Sequence, residues 1–530
     1  MTAAELVPKA GRREWFGLAL LTLPLLVLAF DVSVLYLAAP QLTADLAPTA
    51  VQQLWILDIY GFLIAGFLVT MGSLGDRIGR RRLLLIGGAA FAAASVLAAF
   101  APSAELLIAA RALLGIAGAT LMPSTLALIS TMFVDPHQRR FAIAIWMTVF
   151  SAGVAVGPVV GGVMLELFWW GSVFLLAVPV MALLVALGPI LLPEERGPSA
   201  GGWIDLPSSA LSLATMLPLV YGFKESVAHG ISVSSVTALG IGVGAGVLFV
   251  RRQRRLPDPM LDVSLFTRRV FVGAVALMLL GTIAINGVFY LVPQYLQLVR
   301  GVSALAAGLW MIPIAGVSVL ASLCTPRLAR QFGRRALLAG AGVLAAAGCL
   351  GLTFLEVDTA LPILLVCVSL AVLGNTPTGV LGTDLVVSSA PPERAGSAAA
   401  IAETAGETGV GVGVALTGTL VAAVYQSTMA DQLPATVPTE AAAAANEGVA
   451  AAESAARALP TEVGVALVDT ARTAFTTGFA AAGYLGAALV ACIVGLVLLV
   501  VPSDRGEGSD ESGSAGEEEE SGARLAEPTS

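Results

Sequence analysis

The chain has 530 residues, of which 57% are hydrophobic and 12% charged, and its mean hydropathy is +0.88. Soluble domains carry about 25% charged residues, so the composition excludes a soluble globular protein and points to an all-α integral membrane protein. The formal net charge of −8 sits almost entirely in residues 503–530, where nine acids and two arginines leave −1 for the rest of the chain.

Apolar runs of about 20 residues are what a helix needs to cross a ~30 Å hydrocarbon core. Fourteen are found: 15–38, 54–74, 83–100, 105–128, 140–165, 170–192, 204–222, 232–250, 270–297, 305–324, 336–354, 361–384, 397–424 and 475–501. The first follows Arg12 and Arg13 without a small-residue cleavage site at signal-peptide distance, so it is a span. With fourteen spans both termini share one side, and that side receives 23 of the 28 basic residues, against four opposite and Arg111 inside the membrane. The bias predicts cytoplasmic termini in a cell inner membrane.

This pattern divides the chain into a cytoplasmic N-terminus (1–14), a six-helix half (15–192), two inserted spans (193–255), a second six-helix half (256–502) and an acidic tail (503–530). The inserted spans are apolar with few polar residues and are expected to be peripheral. The external loop 425–474 lies inside the second half; Glu440 to Leu459 is rich in Ala and Glu, can form one or two short helices, and is either a solvated connector or an acidic lid. The tail has the composition of a disordered solvated segment, solubilising or regulatory.

Four carboxylates lie in otherwise apolar segments: Asp31, Asp58, Glu403 and Glu407. A charge near the bilayer centre costs at least ~2.5–3.5 kcal/mol, so such acids usually face a bundle interior and hold a cation or proton. Asp31 is two-thirds across the first span and has Arg111 of the fourth as its natural partner, in a structural ion pair or a coupling site. Asp58 begins the second span near the outer surface, where it either snorkels outward or meets a cationic ligand. Glu403 and Glu407, four apart, share one helical face. Asp384 lies near the cytoplasmic end of its span and is expected to be interfacial. Phe30, Tyr36, Trp146, Met147, Phe150, Tyr290, Tyr295 and Trp310 are candidates for a pocket that takes flat cations, each cation–π contact being worth ~0.5–2 kcal/mol.

The loop GSLGDRIGRRRLL, residues 72–84, carries Gly72, Asp76, Arg77, Gly79 and Arg80. Glycines let two helix ends approach, and Asp76 can face the positive end of the next helix and pair with arginines, a contact suited to a gate. PRLARQFGRR, residues 326–335, repeats the pattern with Arg330 in place of Asp76, as two homologous halves would. The fifth span carries GxxxGPxxGG through Gly153, Gly157, Pro158, Gly161 and Gly162; its small residues permit close helix packing, and its proline invites a bend.

The 72–84 loop resembles the signature of the major facilitator superfamily, the fifth-span motif resembles that of its antiporters, and LIAARALLGIAG around Arg111 resembles the family's proton-coupling motif, with Leu114 where the family has glutamine. FDVSVLYLAAPQL and WILDIYGFL closely resemble the Qac-type multidrug exporters of the fourteen-helix drug:proton antiporters, and IAETAGETG resembles their acid-bearing thirteenth span, with Ala402 where some relatives have a further acid. The resemblance implies two six-helix halves plus two inserted helices. It also implies export of lipophilic organic cations such as quaternary ammonium compounds, dyes and biguanides in exchange for protons, with Asp31, Arg111, Glu403 and Glu407 coupling and Asp58 and the aromatics binding.

An exporter of an endogenous antibiotic or lipid on the same fold is the alternative. An enzyme, cofactor, metal or nucleic-acid partner is not expected: the sequence has no GxxxxGK[ST] phosphate loop, and His137 and His229 fall in separate loops. The four cysteines all lie in apolar segments, which gives no external disulfide framework. The chain is expected to act as a monomer.

Overall fold

The computed structural model describes residues 10–194, 205–229, 232–256, 263–389, 395–434 and 436–501. The acidic tail and the side chains of Asp76, Arg77 and Met147 lie outside the described residues. All fourteen apolar segments are helical. In chain order the helices are α1 (Arg12–Leu46), α2 (Ala50–Ile78), α3 (Arg80–Ala99), α4 (Ala104–Met132), α5 (Pro136–Leu167), α6 (Ser172–Leu175), α7 (Ala177–Leu191), α8 (Leu206–His229), α9 (Val233–Gln253), α10 (Arg269–Gln294), α11 (Ala304–Phe332), α12 (Arg334–Gly351), α13 (Leu361–Ser388), α14 (Ala395–Gln432), α15 (Thr439–Ala445), α16 (Val449–Ala456) and α17 (Thr461–Val500). Among the described residues, eleven helices are long and apolar enough to cross a membrane, or twelve with α5 taken as one bent span.

The helices overrun the apolar segments because their ends are capped by polar residues. Thr49 accepts from the Gln52 backbone N–H while the Gln52 side chain caps Thr49 in return, which starts α2 four residues before the apolar run. Ser103 and Ser303 cap α4 and α11 in the simpler way. Tyr295–Val299 extends α10 by a π-helical turn. Residues 425–474 contribute two short helices, α15 and α16, and α14 and α17 project beyond the apolar runs to meet them.

Two halves are visible in how helices pair. Within the first, α1 packs on α5, α2 on α4, α3 on α4 and α3 on α7; within the second, α10 packs on α14, α11 on α13, α12 on α13 and α12 on α17. The same pairing order recurs, so α5 and α14 are structural counterparts. The halves meet through α2 with α14, α5 with α11, and α1 with α10, contacts that a pseudo-twofold axis interchanges.

The basic turns repeat as well. Gly79, at φ +104°, joins α2 directly to α3, and Gly333, at φ +83°, joins α11 to α12. A side chain is strained at either angle. Beside them Arg81 donates to the Leu192 carbonyl at 2.9 Å and Arg335 to the Leu498 carbonyl at 2.7 Å; each arginine thus binds the carbonyl end of the last helix of its own half. The Gly-rich turn expected around Gly72 is a single-residue turn at Gly79. Gly72 lies within α2, where an added side chain would meet open space.

The inserted pair is only half peripheral. The α9 helix faces outward from α8, but α8 lies on α2 and also touches α14, so it lies on the seam between the halves. Thr70 and Ser209 share a buried 2.6 Å hydrogen bond, Leu213 fills the space over Gly66, and Trp55 stacks on Tyr221 at 6.3 Å.

Candidate functional site

The membrane acids converge because helices approach closely where side chains are small. On α4, Gly115 lies one turn after Arg111, and a Cβ there would come within 2.6 Å of the Tyr60 carbonyl. That proximity carries the guanidinium onto α2. Arg111 is 1% exposed. Its Nε donates to the Ile56 carbonyl at 3.0 Å and its Nη2 to that of Leu57 at 3.4 Å. Its Nη1 donates to Asp31 Oδ2 of α1, completing the pair the sequence predicted. The guanidinium also lies 4.5 Å from the centre of the Tyr60 ring and 5.9 Å from that of Phe174. Three helices and two rings therefore hold one buried cation.

The second half contributes Glu407. Its Oε2 lies over Gly61 of α2, so closely that a Cβ at 61 would be 2.6 Å away. Asp58, three residues earlier on the same face of α2, is 4% exposed. Of the two alternatives for Asp58, an outward-snorkelling side chain and one that meets a ligand, its burial favours the second: α2 begins at Ala50, so two helical turns lie between Asp58 and the helix end. Tyr36, Asp58, Tyr60, Gly61, Arg111 and Glu407 line one cavity together with apolar residues. Glu403 lies one turn further toward the α14 N-terminus and Asp31 lies behind Arg111; neither lines it.

The aromatics divide. Tyr36 lines the cavity, and Tyr290 of α10 meets its ring edge-on at 6.0 Å. Trp146 is buried in the first half and donates from its indole to Thr125 at 3.2 Å. Phe150 packs on the same hydrophobic core. Tyr295 is core too, stacked on Phe479 at 5.6 Å with its hydroxyl donating to the Glu356 carbonyl, and Trp310 packs against the core. Phe30, Trp146, Phe150 and Tyr290 are absent from the cavity lining. Asp384 is half exposed and paired with Arg334 at 3.0 Å, in keeping with an interfacial position.

Sequence reasoning missed Tyr60, Gly61 and Glu194. Tyr60 and Gly61 sit inside WILDIYGFL, but nothing in the string marks one as a ring over a buried arginine and the other as a seat for a carboxylate. Glu194 accepts from Arg81 at 3.1 Å, lies 3.7 Å from Arg82, and sits against Gly79. It is an acidic partner of the basic turn supplied from the end of α7, some 113 residues away.

The cavity measures about 50 Å³. A water occupies ~30 Å³, whereas pockets for drug-sized ligands run to ~300–1,000 Å³, so the halves are drawn together around the acids. The fifth-span motif makes part of that closure. Gly153 and Gly161 pack against Ala29 and Val34 of α1, Gly162 against Ala304 and Leu305, and the Pro158 carbonyl against Gly308 of α11. Pro158 cannot donate to the Val154 carbonyl, and α5 bends by 43° at that point. The Gln297 side chain adds a 3.0 Å bond across the halves to the Leu37 carbonyl. These contacts lie toward the face opposite the basic turns.

The arrangement is that of a two-half membrane transporter with a charged central site. The profile of the Major Facilitator Superfamily matches residues 21–414, and the chain belongs to that superfamily.

Among curated proteins, the chain is 44% identical over 501 residues to the multidrug efflux pump LfrA of Mycolicibacterium smegmatis, covering 93% of this chain and 99% of that one. It is 35% identical over 471 residues to the methyl viologen resistance protein SmvA of Salmonella typhimurium, covering 87% and 93%. It is 30% identical over 494 residues to the tetracenomycin C resistance and export protein of Streptomyces glaucescens, covering 91% of each. A bacterial homologue of the lysosomal transporter Spinster has the same fold, with a TM-score of 0.62 at 16% identity over 93% of this chain and all of that one. The protein is a multi-pass membrane transporter of the drug-efflux kind, not an enzyme.

Proposed function

We propose that the protein exports lipophilic organic cations in exchange for protons, with both termini in the cytoplasm. In that orientation the α5–α11 contacts lie toward the external face. The reading rests chiefly on one observation: Glu407 of one half and Asp58 of the other line a single buried cavity walled by Tyr36 and Tyr60. A carboxylate set in an otherwise apolar helix bundle is costly to ionise, so a deprotonated Glu407 gains from taking up a proton or pairing with a cation. Substrate and proton then compete for the same acids, and tyrosine faces favour flat, poorly hydrated cations. Methyl viologen, named in one relative, is an aromatic dication with two quaternary nitrogens.

Arg111 and Asp31 form the fixed partner of this exchange. Protonation of Asp31 would leave Arg111 uncompensated beside the cavity, so the pair senses proton entry from the external side. Glu403, one turn from Glu407, is the next acid along the path toward the cytoplasm. A monovalent cation leaving for one proton entering gains nothing from the membrane potential, whereas each additional proton contributes ~2.3 kcal/mol per 100 mV. Where a pH gradient does not supply the drive, export against the potential needs more than one proton per monovalent cation, and that stoichiometry is expected here.

The test is ethidium transport in proteoliposomes under an imposed pH gradient, with Asp31→Asn, Asp58→Asn, Glu403→Gln and Glu407→Gln. Loss of gradient-driven transport in Asp31→Asn and Glu407→Gln is expected; wild-type transport in all four would end the proposal. The tetracenomycin relative favours a second reading, export of an endogenous antibiotic. Ethidium efflux that quaternary ammonium compounds fail to compete away would support that alternative.

A further inference from the structure

We propose that Gly61 is a positioning residue for Glu407: the absent side chain at 61 forms a notch on α2 that seats the carboxyl group of the opposite half. The inference rests on the proton-handling role proposed above for Glu407.

The seam between α2 and α14 is reciprocal. A Cβ at Gly61 would lie 2.6 Å from Glu407 Oε2, and a Cβ at Gly411 would lie 2.2 Å from Cζ of Phe62. Each helix thus omits a side chain where the other inserts one. Residues 407 and 411 are four apart and share one face of α14, while 61 and 62 are adjacent on α2. Ordinary contact begins at 3.4 Å, so a methyl group at 61 would drive the carboxyl back by about 0.8 Å. The displacement is small, but it acts on a contact that places an acid of the second half beside Asp58.

Gly66, 1.5 turns along the same helix, has a different occupant, Leu213 of the inserted α8. Of these two glycines, only Gly61 faces an acid. Separation of α2 from α14 would withdraw Glu407 from the first half, so the site exists as a unit only while the halves are closed on that face.

The groups facing Glu407 in the cavity are Tyr36 from α1, Asp58 and Tyr60 from α2, and Arg111 from α4. Glu403 interacts with it along α14. The other helices packed on α14, namely α8, α10, α13 and α17, add no charged residue to the lining among the described residues.

The experiment measures ethidium transport into inverted proteoliposomes driven by a pH gradient, with initial rates taken across a pH series. Gly61→Ala is expected to lower the rate by about ten- to a hundredfold, a misplacement of 1 Å costing up to ~10²-fold, and to move the pH of half-maximal rate. Glu407→Asp alone withdraws the carboxyl by one methylene and is also impaired. The double variant Gly61→Ala/Glu407→Asp restores the fit, so its pH profile returns toward wild type and its rate exceeds that of Glu407→Asp. Gly66→Ala, which crowds a leucine instead, leaves the pH profile in place.

The inference is overturned if Gly61→Ala keeps the wild-type profile, if the double variant is no better than Glu407→Asp, or if Gly66→Ala produces the same shift. Should Gly61→Ala fail to reconstitute, the comparison of the double variant with Glu407→Asp still decides. Glu407→Gln separates the two levels. Coupled transport surviving in Glu407→Gln removes the proposed role of Glu407 itself, whereas loss in Glu407→Gln with wild-type behaviour in Gly61→Ala removes the notch alone.

Discussion

Asp31→Asn should destabilise the protein as well as silence it, and the two effects can be separated. Arg111 is 1% exposed, with Asp31 as its ion-pair partner and the carbonyls of Ile56 and Leu57 as its remaining acceptors. Removing one partner of a buried pair costs about 3–5 kcal/mol. The Tyr60 ring at 4.5 Å faces the guanidinium with or without the Asp31 carboxylate, so its cation–π contact cancels from the difference and the expected loss stays at about 3–5 kcal/mol. Replacing both partners with neutral residues of similar shape, Asp31→Asn with Arg111→Gln, should recover most of the loss, because no bare charge remains.

The assay is a double-mutant cycle on equilibrium unfolding in mixed detergent, with transport measured on the same four proteins. The expected coupling energy is above about 1 kcal/mol, as for residues in direct contact, with no transport in any of the three variants. A coupling within about 0.5 kcal/mol of zero, as for independent sites, would refute the buried pair. Recovery of transport in the double variant would reduce the pair to a structural tie.

Other outcomes follow from the same geometry. Gly79→Ala and Gly333→Ala, both at positive φ, should each lose roughly 1–2 kcal/mol from backbone strain; Gly79→Ala should lose more because its Cβ would also meet Glu194 at 2.0 Å. Melting temperatures in detergent check the order, and equal losses would contradict it. Gly162→Leu should block turnover while leaving expression intact, since a side chain there meets the backbone of Ala304 and Leu305; unchanged efflux would mean that α5 and α11 do not close the site. Tyr60→Leu should weaken transport of flat aromatic cations more than that of tetraalkylammonium ions of similar size, as competition against ethidium would show.

Much of the fold was legible because a bilayer imposes one length and one polarity on every span. Fourteen apolar segments became helices, and the basic turns at Gly79 and Gly333 fell where the repeat placed them. Helix ends were less legible, since caps such as Thr49 and Ser303 act through local hydrogen bonds that hydropathy does not register. The two alternatives for Asp58 stay open in the sequence for that reason: the four residues that α2 adds before its apolar run set Asp58 two turns inside the helix.

At the site, charge was legible and contact was not. Asp31 and Arg111 announce each other because an arginine inside a membrane needs an acid. The aromatics carry no comparable demand, so Trp146 proved to be a packed side chain bonded to Thr125 while Tyr60, unmarked, covers the guanidinium. Gly61 and Gly411 had no signal of their own, because the meaning of a missing side chain depends on what the partner helix brings to it. Glu194 was hidden by sequence distance from the turn it serves.

The central claim is that drug and proton compete at Glu407 and its neighbours. It is tested most directly by following internal pH in proteoliposomes when ethidium is added without any imposed gradient. The account predicts a substrate-driven proton movement opposite to the cation, with more than one proton per ethidium, and none with Glu407→Gln. Ethidium movement without proton movement, or an unchanged proton signal in Glu407→Gln, would contradict it.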